Sequence, residues 1–330
     1  MEISRREFIS GSASTLASAA VASPLGAKSA TCGLNGVFTA LFTPFTSENR
    51  INEEMIELMV EYGVRNGIAG FYLTGGTGEG LLLSKDERKQ VYRAAAKAAR
   101  GRVKLIAHVG CVNTDDAVEL ARTAADVGCD WVSSIPPVYY GQSFGDAVSH
   151  YRLISESTDL PFLIYAVGGT AINPDRDVRF FDLRNVCGMK YTGTDFYSVQ
   201  RLRRRIGKEV SFVSGSDQHF IAALTYPDVF SGSIGTLQNV IPDLFVKIYK
   251  AMAANDWKSA AALQADVNRA VELVCHTFPK QSFRKAAMRY IGLDCGPFRH
   301  PYEPLSESEY ADFCAKADAL GIFRRGQGVS

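Results

Sequence analysis

One alternation, repeated eight times, limits what this chain can fold into more than any other feature. From Gly33 onward, short apolar runs give way to segments whose apolar residues recur at helical spacing. The runs fall at Val37–Phe42, Ala69–Leu73, Val103–Val109, Trp131–Ile135, Pro161–Ala166, Val186–Lys190, Val210–Val213 and Val229–Ile234. Helices are predicted between them over Asn52–Asn66, Ser84–Arg100, Thr114–Val127, Phe144–Ser157, Arg176–Leu183, Phe196–Ile206 and Gln218–Thr225. Ser84-Lys85-Asp86-Glu87 is a capping-box start for the second of these. Buried parallel strands alternating with helices predict an α/β fold, a (β/α)8 TIM barrel. An open doubly wound sheet is the structural alternative, but no Gly-x-Gly-x-x-Gly follows the first strand. After Gly235 the pattern is helical only, over Ile241–Ala254, Lys258–Thr277, Ser282–Ile291 and Glu307–Ala319. One closing helix would need less, so a C-terminal helical appendage is expected, with the barrel at 31–255 and the extension at 256–330.

Composition excludes several other classes. Of 330 residues, 46% are hydrophobic and 22% charged, which argues against a disordered, collagen-like or polytopic membrane chain. Lys and Arg total 36 against 35 Asp and Glu, so no basic excess points to a nucleic-acid partner. The cluster Arg201–Arg205 reads as a solvated helix face.

Residues 1–30 read as an export signal and linker rather than as fold. Ser4-Arg5-Arg6-Glu7-Phe8-Ile9 carries twin arginines followed by a large apolar residue, the pattern of twin-arginine export. The Ala/Ser-rich stretch Gly11–Ala22 is too short and polar to span a membrane, and Ala20-Val21-Ala22 offers a cleavage site. The expected location is the periplasm. An exported protein can use disulfides. The seven cysteines are odd in number and widely spaced, however, and twin-arginine cargo folds first in a reducing compartment, so most are read as small core residues. The five histidines show no metal-ligand spacing, and no metal is expected.

In such a barrel the chemistry sits at the carboxyl ends of the strands. After the second strand, Gly75-Gly76-Thr77-Gly78-Glu79 can present backbone N–H groups to a phosphate or a carboxylate, or can be an ordinary tight turn. The fifth strand ends in Tyr165, a phenol able to relay a proton or cap the core. The sixth ends in Lys190, followed by Tyr191-Thr192-Gly193. A lysine held in a barrel mouth loses hydration, which favours the neutral amine that attacks a ketone to form an imine; a snorkelling or ion-paired lysine is the structural alternative. After the seventh strand, Asp217 and Gln218 can bind substrate hydroxyls, or Asp217 can cap the next helix. Thr236, after the eighth, presents a further hydroxyl.

Taken in order, Gly75-Gly76-Thr77-Gly78-Glu79, Tyr165, Lys190 with Thr192, and Gly215 resemble the Schiff-base pyruvate aldolases, the family of N-acetylneuraminate lyase and dihydrodipicolinate synthase. The resemblance runs from Leu34 to Phe323. It implies that Lys190 forms the imine with a 2-keto acid and that Gly76 and Thr77 bind the acid's carboxylate. It implies that Tyr165 moves protons at the reacting carbon and that Tyr139 is lent to a neighbouring subunit's proton relay, within a homotetramer. No cofactor is implied, because the imine is itself the electron sink. Tyr139-Tyr140-Gly141-Gln142-Ser143-Phe144 and Lys190-Tyr191-Thr192 with Asp195-Phe196-Tyr197 are similar to the N-acetylneuraminate lyase branch. In that branch the positions of Thr192, Gly215, Asp217, Gln218 and Thr236 hold the hydroxyl-rich chain of the sugar acid. The synthases carry an Arg soon after the fifth-strand Tyr; here none occurs before Arg176.

Three departures stand out. Gly76 replaces the Ser or Thr placed between the two relay tyrosines. Tyr165-Ala166-Val167-Gly168 stands where Tyr-Asn-x-Pro is usual, and Gln218 stands for a Glu. The expected function is retro-aldol cleavage of an N-acetylneuraminate-like 2-keto sugar acid to pyruvate and an aldehyde. The rival readings are a keto-deoxy-sugar-acid dehydratase, which Gly76 favours, a dihydrodipicolinate synthase-like enzyme, and a keto-acid-binding protein without turnover.

Overall fold

The computed structural model describes residues 32–278 and 280–328. The export signal expected over residues 1–30 lies outside them. Eight strands close into a parallel barrel in sequence order. They are β1 (Gly36–Ala40), β2 (Gly70–Leu73), β3 (Lys104–His108), β4 (Trp131–Ser134), β5 (Phe162–Ala166), β6 (Val186–Tyr191), β7 (Ser211–Ser214) and β8 (Phe230–Gly235). β1 pairs with both β2 and β8, which completes the ring and leaves no sheet edge.

Helices α1 (Glu53–Arg65), α2 (Lys85–Ala99), α3 (Thr114–Asp126), α4 (Phe144–Glu156), α5 (Pro174–Asp177), α6 (Phe196–Arg205), α7 (Phe220–Leu224) and α8 (Pro242–Ala253) form the outer layer. Their starts are chemically specified. Asn52 accepts from the Met55 amide, and Ser84 and Glu87 form the expected reciprocal cap of α2. The helix expected over Arg176–Leu183 is instead one α-turn, Pro174–Asp177, continued as a 3-10 stretch, Val178–Asp182. Beyond α8 come α9 (Trp257–Val271), α10 (Phe283–Tyr290) and α11 (Glu307–Leu320), the C-terminal helices. No described helix is long and apolar enough to cross a membrane.

Two apolar assemblies hold these layers. The larger joins the outward faces of the strands to the helices. The smaller fills the barrel, with Phe38, Tyr72, Ile106, Trp131, Leu163, Val213 and Ile234 among its members. Its floor holds a disulfide between Cys32, just before β1, and Cys187 in β6, whose Cα atoms are 5.1 Å apart. The Trp131 indole donates to the Cys32 carbonyl at 3.1 Å, so the entering chain is fixed twice. The other five cysteines are unpaired, and four of them are buried, as their reading as core residues requires.

The β5–β6 pairing contains the irregularity that matters most for the site. Phe162 pairs with Val186, but Leu163 pairs with Gly188, so Cys187 is an extra residue, a β-bulge. Phe162 and Val186 face the helices. Leu163, Tyr165 and Cys187 face the barrel interior. Strict alternation from Val186 would have sent Lys190 toward the helices. The bulge shifts the pleat by one, so that Lys190 pairs with Tyr165 and shares its inward face.

Candidate active site

Lys190 lies inside the carboxyl end of the barrel, 4% exposed. Its Nζ stands 4.2 Å from the centre of the Tyr72 ring and 4.3 Å from that of Tyr165. Burial pushes the amine down from the usual lysine range to about 7, although the carboxylate of Asp217 pulls the other way. Neutral amine is therefore abundant at neutral pH. Gly215 makes room for this side chain, since a Cβ there would collide with Thr192 and come within 3.1 Å of Lys190 Cε.

Tyr165 is half-buried, and its burial raises the phenol above its usual range. The Thr192 hydroxyl works against that rise and donates to the Ala166 carbonyl at 3.3 Å. Tyr72 is fully buried and bonds to the Ser133 hydroxyl at 3.0 Å. Both tyrosines pack edge-on against each other, with ring centres 6.1 Å apart.

The glycine turn lies beside them. Gly75, Gly76, Thr77, Tyr165 and Val167 line one chamber of about 430 Å³ at the barrel mouth. The Thr77 hydroxyl meets that of Thr236 at 2.7 Å, so the turn is tied to the end of β8. Open space surrounds the position a Gly76 side chain would take. Glu79, at φ 58°, closes the turn and is buried against Lys285 of α10 at 2.8 Å. Lys285 also donates to the carbonyls of Thr43 and Pro297 at 2.8 and 2.9 Å. Through this pair the C-terminal helices fix the glycine turn.

Asp217 caps neither the helix after it nor its own turn. Its Oδ2 accepts from the amides of Thr236 and Leu237 at 3.0 and 2.9 Å, and thus orders the turn after β8. Its Oδ1 has no hydrogen-bond partner. Burial raises the carboxyl to about 6, against the pull of those amides and of Lys190.

Two predicted residues stand apart. Gln218 is exposed on the 3-10 turn after β7. Tyr139 is 90% exposed, at φ 82°, with its ring edge-on to Tyr140.

The sequence reading missed one wall of the chamber. His108, the last residue of β3, is buried and lines it. Its Nδ1 donates to the Thr74 carbonyl at 3.1 Å, and its Nε2 has no partner. Burial, helped by the charge of Arg88, holds the imidazole neutral, so Nε2 is a free acceptor. The signal was available: the strand-end rule that selected Tyr165 and Lys190 applies equally to His108. Gln281 and Arg284 also line the chamber, and nothing local in sequence marks them.

Taken together, the site offers a buried amine, a phenol, a neutral imidazole and a turn of backbone amides. That set can condense a ketone, hold its acid group and move a proton. The model of the Dihydrodipicolinate synthetase family matches residues 33–320. An N-acetylneuraminate lyase of Rhizobium meliloti (strain 1021) is 33% identical over 280 residues, 84% of this chain and 92% of the relative. The solved N-acetylneuraminate lyase of Mycoplasma synoviae superposes with a TM-score of 0.80 at 31% identity, covering 87% of this chain and 97% of that one. A dihydrodipicolinate synthase of Bacillus anthracis gives 0.80 at 27% identity, covering 88% and 99%.

Proposed function

Because the chain belongs to the Dihydrodipicolinate synthetase family, we propose that it is a carbon–carbon lyase that cleaves a 2-keto sugar acid to pyruvate and an aldehyde through an imine on Lys190. The observation that carries this reading is the placement of the Lys190 amine, buried between two phenol rings at the barrel mouth.

The neutral amine adds to the ketone carbon, and loss of water gives the iminium. The positive nitrogen then accepts the electron pair released when the C3–C4 bond breaks. The C4 hydroxyl passes its proton to the oxygen of the neutral Tyr165 phenol as the phenol hands its own proton on to water, and the aldehyde departs. The remaining enamine is protonated at carbon, and water hydrolyses the imine to free pyruvate. During these steps the amides of Gly76 and Thr77 and the Thr77 hydroxyl hold the carboxylate. On this reading Thr192, Asp217 through its free Oδ1, and Thr236 bind the hydroxyls of the substrate. General acid–base help of this kind is worth about 10²–10⁴-fold.

Tyr139 acts in the relay of a neighbouring copy, within a homotetramer. Its exposure beside Tyr140 supports this, because two aromatic rings in water favour a covering partner. The protein is exported by the twin-arginine route to the periplasm. The Cys32–Cys187 pair supports that location, since disulfides persist in oxidising compartments.

The test is intact mass after incubation of the mature protein with pyruvate and borohydride. The expected result is one pyruvate-derived adduct, absent in Lys190→Ala; an adduct that survives this substitution refutes the mechanism. Gly76 favours a second reading, dehydration of a keto-deoxy-sugar acid, because no hydroxyl occupies the open space above it. Water loss without C–C cleavage in the product analysis would select it.

A further inference from the structure

The wall of the chamber that comes from the C-terminal helices carries a cation with no carboxylate at ion-pair distance among the described residues. Arg284, in the first turn of α10, lines the chamber together with Gln281, and Phe298 and Tyr302 complete the same wall. The neighbouring cations of this region are all neutralised: Lys280 by Glu309, Lys285 by Glu79, and Arg289 by Glu307. Among the described residues no carboxylate lies at ion-pair distance from Arg284. It contacts the thiol of Cys275, a weak partner, and its charge reaches the buried carboxylate of Asp217. Asp217 commits its Oδ2 to the amides of Thr236 and Leu237, and its Oδ1 makes no hydrogen bond to Arg284.

A half-buried guanidinium without a carboxylate retains most of its capacity to bind an anion. The chamber is therefore lined by two groups of donors able to take negative charge. The glycine turn is one, and on the reading above it takes the acid group of the keto acid. Arg284 with the Gln281 amide is the other. A neutral polyol terminus would leave this cation without its best partner.

We propose that Arg284 and Gln281 recognise a second anionic group, a carboxylate or a phosphate, at the end of the substrate remote from its keto acid. The substrate class is then a keto sugar acid with an anionic terminus rather than one ending in a neutral hydroxyl. This rests on the imine reading and adds to it the identity of the distal group.

The test measures borohydride-trapped imine on the mature protein as a function of keto-acid concentration. Three probes share a six-carbon skeleton: 2-keto-3-deoxygluconate, the corresponding 2-keto-3-deoxyglucarate, and 2-keto-3-deoxy-6-phosphogluconate. The charged-ended probe that the site is built for reaches half-saturation at a concentration about 10- to 100-fold lower than the neutral one, the range for a charge-assisted hydrogen bond. Comparing the dicarboxylate with the phosphate identifies the anion. In Arg284→Leu that preference falls toward unity, and in Arg284→Lys part of it remains. Gln281→Ala, a change at an exposed position, reduces it by a smaller factor. A parent protein that traps all three probes alike overturns the proposal, as does an Arg284→Leu protein that keeps the full preference. A parent protein that traps pyruvate but shows no anion preference leaves the imine reading standing and removes only this inference. One that traps neither pyruvate nor any probe removes both.

Discussion

The amine of Lys190 sits 4.3 Å from the centre of the Tyr165 ring, and the two residues are direct partners across β5 and β6. Two consequences follow from that placement. The amine is desolvated by the aromatic walls, and a phenol lies beside the carbon to which it would bind.

The first consequence can be read from pH. Lys190 titrates at about 7 in the folded protein, because burial disfavours its charged form. Imine formation with pyruvate should therefore rise through about pH 7 and level off above it. Asp217→Asn removes the one negative charge that supports the ammonium, so the midpoint should move to lower pH. Stability follows the opposite proton balance: from about pH 7 to the ordinary lysine value of 10.5, the unfolded chain holds a proton that the folded one lacks. The contribution of Lys190 thus increases with pH across that window, and is least favourable below it. Trapping rates from pH 5 to 10 on both proteins check this. A midpoint near 10, or one that moves up in Asp217→Asn, contradicts it.

A second prediction concerns Glu79 and Lys285, which pair at 2.8 Å with almost no exposure of either side chain. Removing one partner leaves the other charged and buried. Lys285→Met should cost about 3–5 kcal/mol in urea unfolding. Glu79→Gln combined with Lys285→Met should cost less than the sum of the two single changes, because no unpaired charge remains. Strict additivity would show that the pair does not act as a unit. The half-saturating keto-acid concentration should also rise in Lys285→Met, since the glycine turn loses its anchor.

Much of this molecule was legible in its sequence, for a local reason. A buried parallel strand and an amphipathic helix each carry their own period, so β3 lies within one residue of its predicted ends at Val103–Val109. Candidate residues at strand ends came from the same reading: Tyr165 lines one chamber with the glycine turn, and Lys190 lies against the Tyr165 ring. What the sequence hid depends on pairing between distant segments. Alternation counted from Val186 puts Lys190 on the helix side; only the register with Leu163 reveals the extra residue at Cys187. Gly188 then has to lack a side chain, because its Cβ would collide with the Ser211 carbonyl. Arg284 reaches the chamber from a helix beyond the barrel, and Cys32 finds Cys187 across 155 residues. Asp217 precedes a helical turn, which suggested a cap, yet its partners come from the loop after β8.

The Cys32–Cys187 pair gives a third prediction. Protein purified and denatured without reductant should alkylate at five cysteines, matching the five unpaired ones. Modification of all seven would refute the pairing. Reduction should lower stability by about 2–4 kcal/mol, the usual value for such a bond, through the freedom regained by the unfolded chain. The trapped pyruvate adduct should still form in the reduced protein, because the bond lies at the barrel floor and Lys190 at the mouth.

Gly76 offers the sharpest chemical test. No atom lies within 4 Å of the Cβ that a side chain would add there, and Gly76 is not among the glycines with positive φ. Serine therefore fits without repacking and without backbone strain, and Gly76→Ser should change stability by less than about 0.5 kcal/mol. Its hydroxyl would stand on the chamber wall with Thr77 and Tyr165, the position from which the resemblance places a proton relay. If proton delivery to the C4 oxygen limits C–C cleavage in this protein, the substitution should raise the cleavage rate by about 10-fold or more, within the range for general acid–base catalysis. If the missing hydroxyl instead directs the native reaction toward water loss, the product ratio should move from dehydrated keto acid toward pyruvate and aldehyde. Both outcomes are read from one assay of released pyruvate against total keto acid consumed. An unchanged rate together with an unchanged ratio would mean that the proton travels by another group on the chamber wall, of which the free Nε2 of His108 is the first to replace.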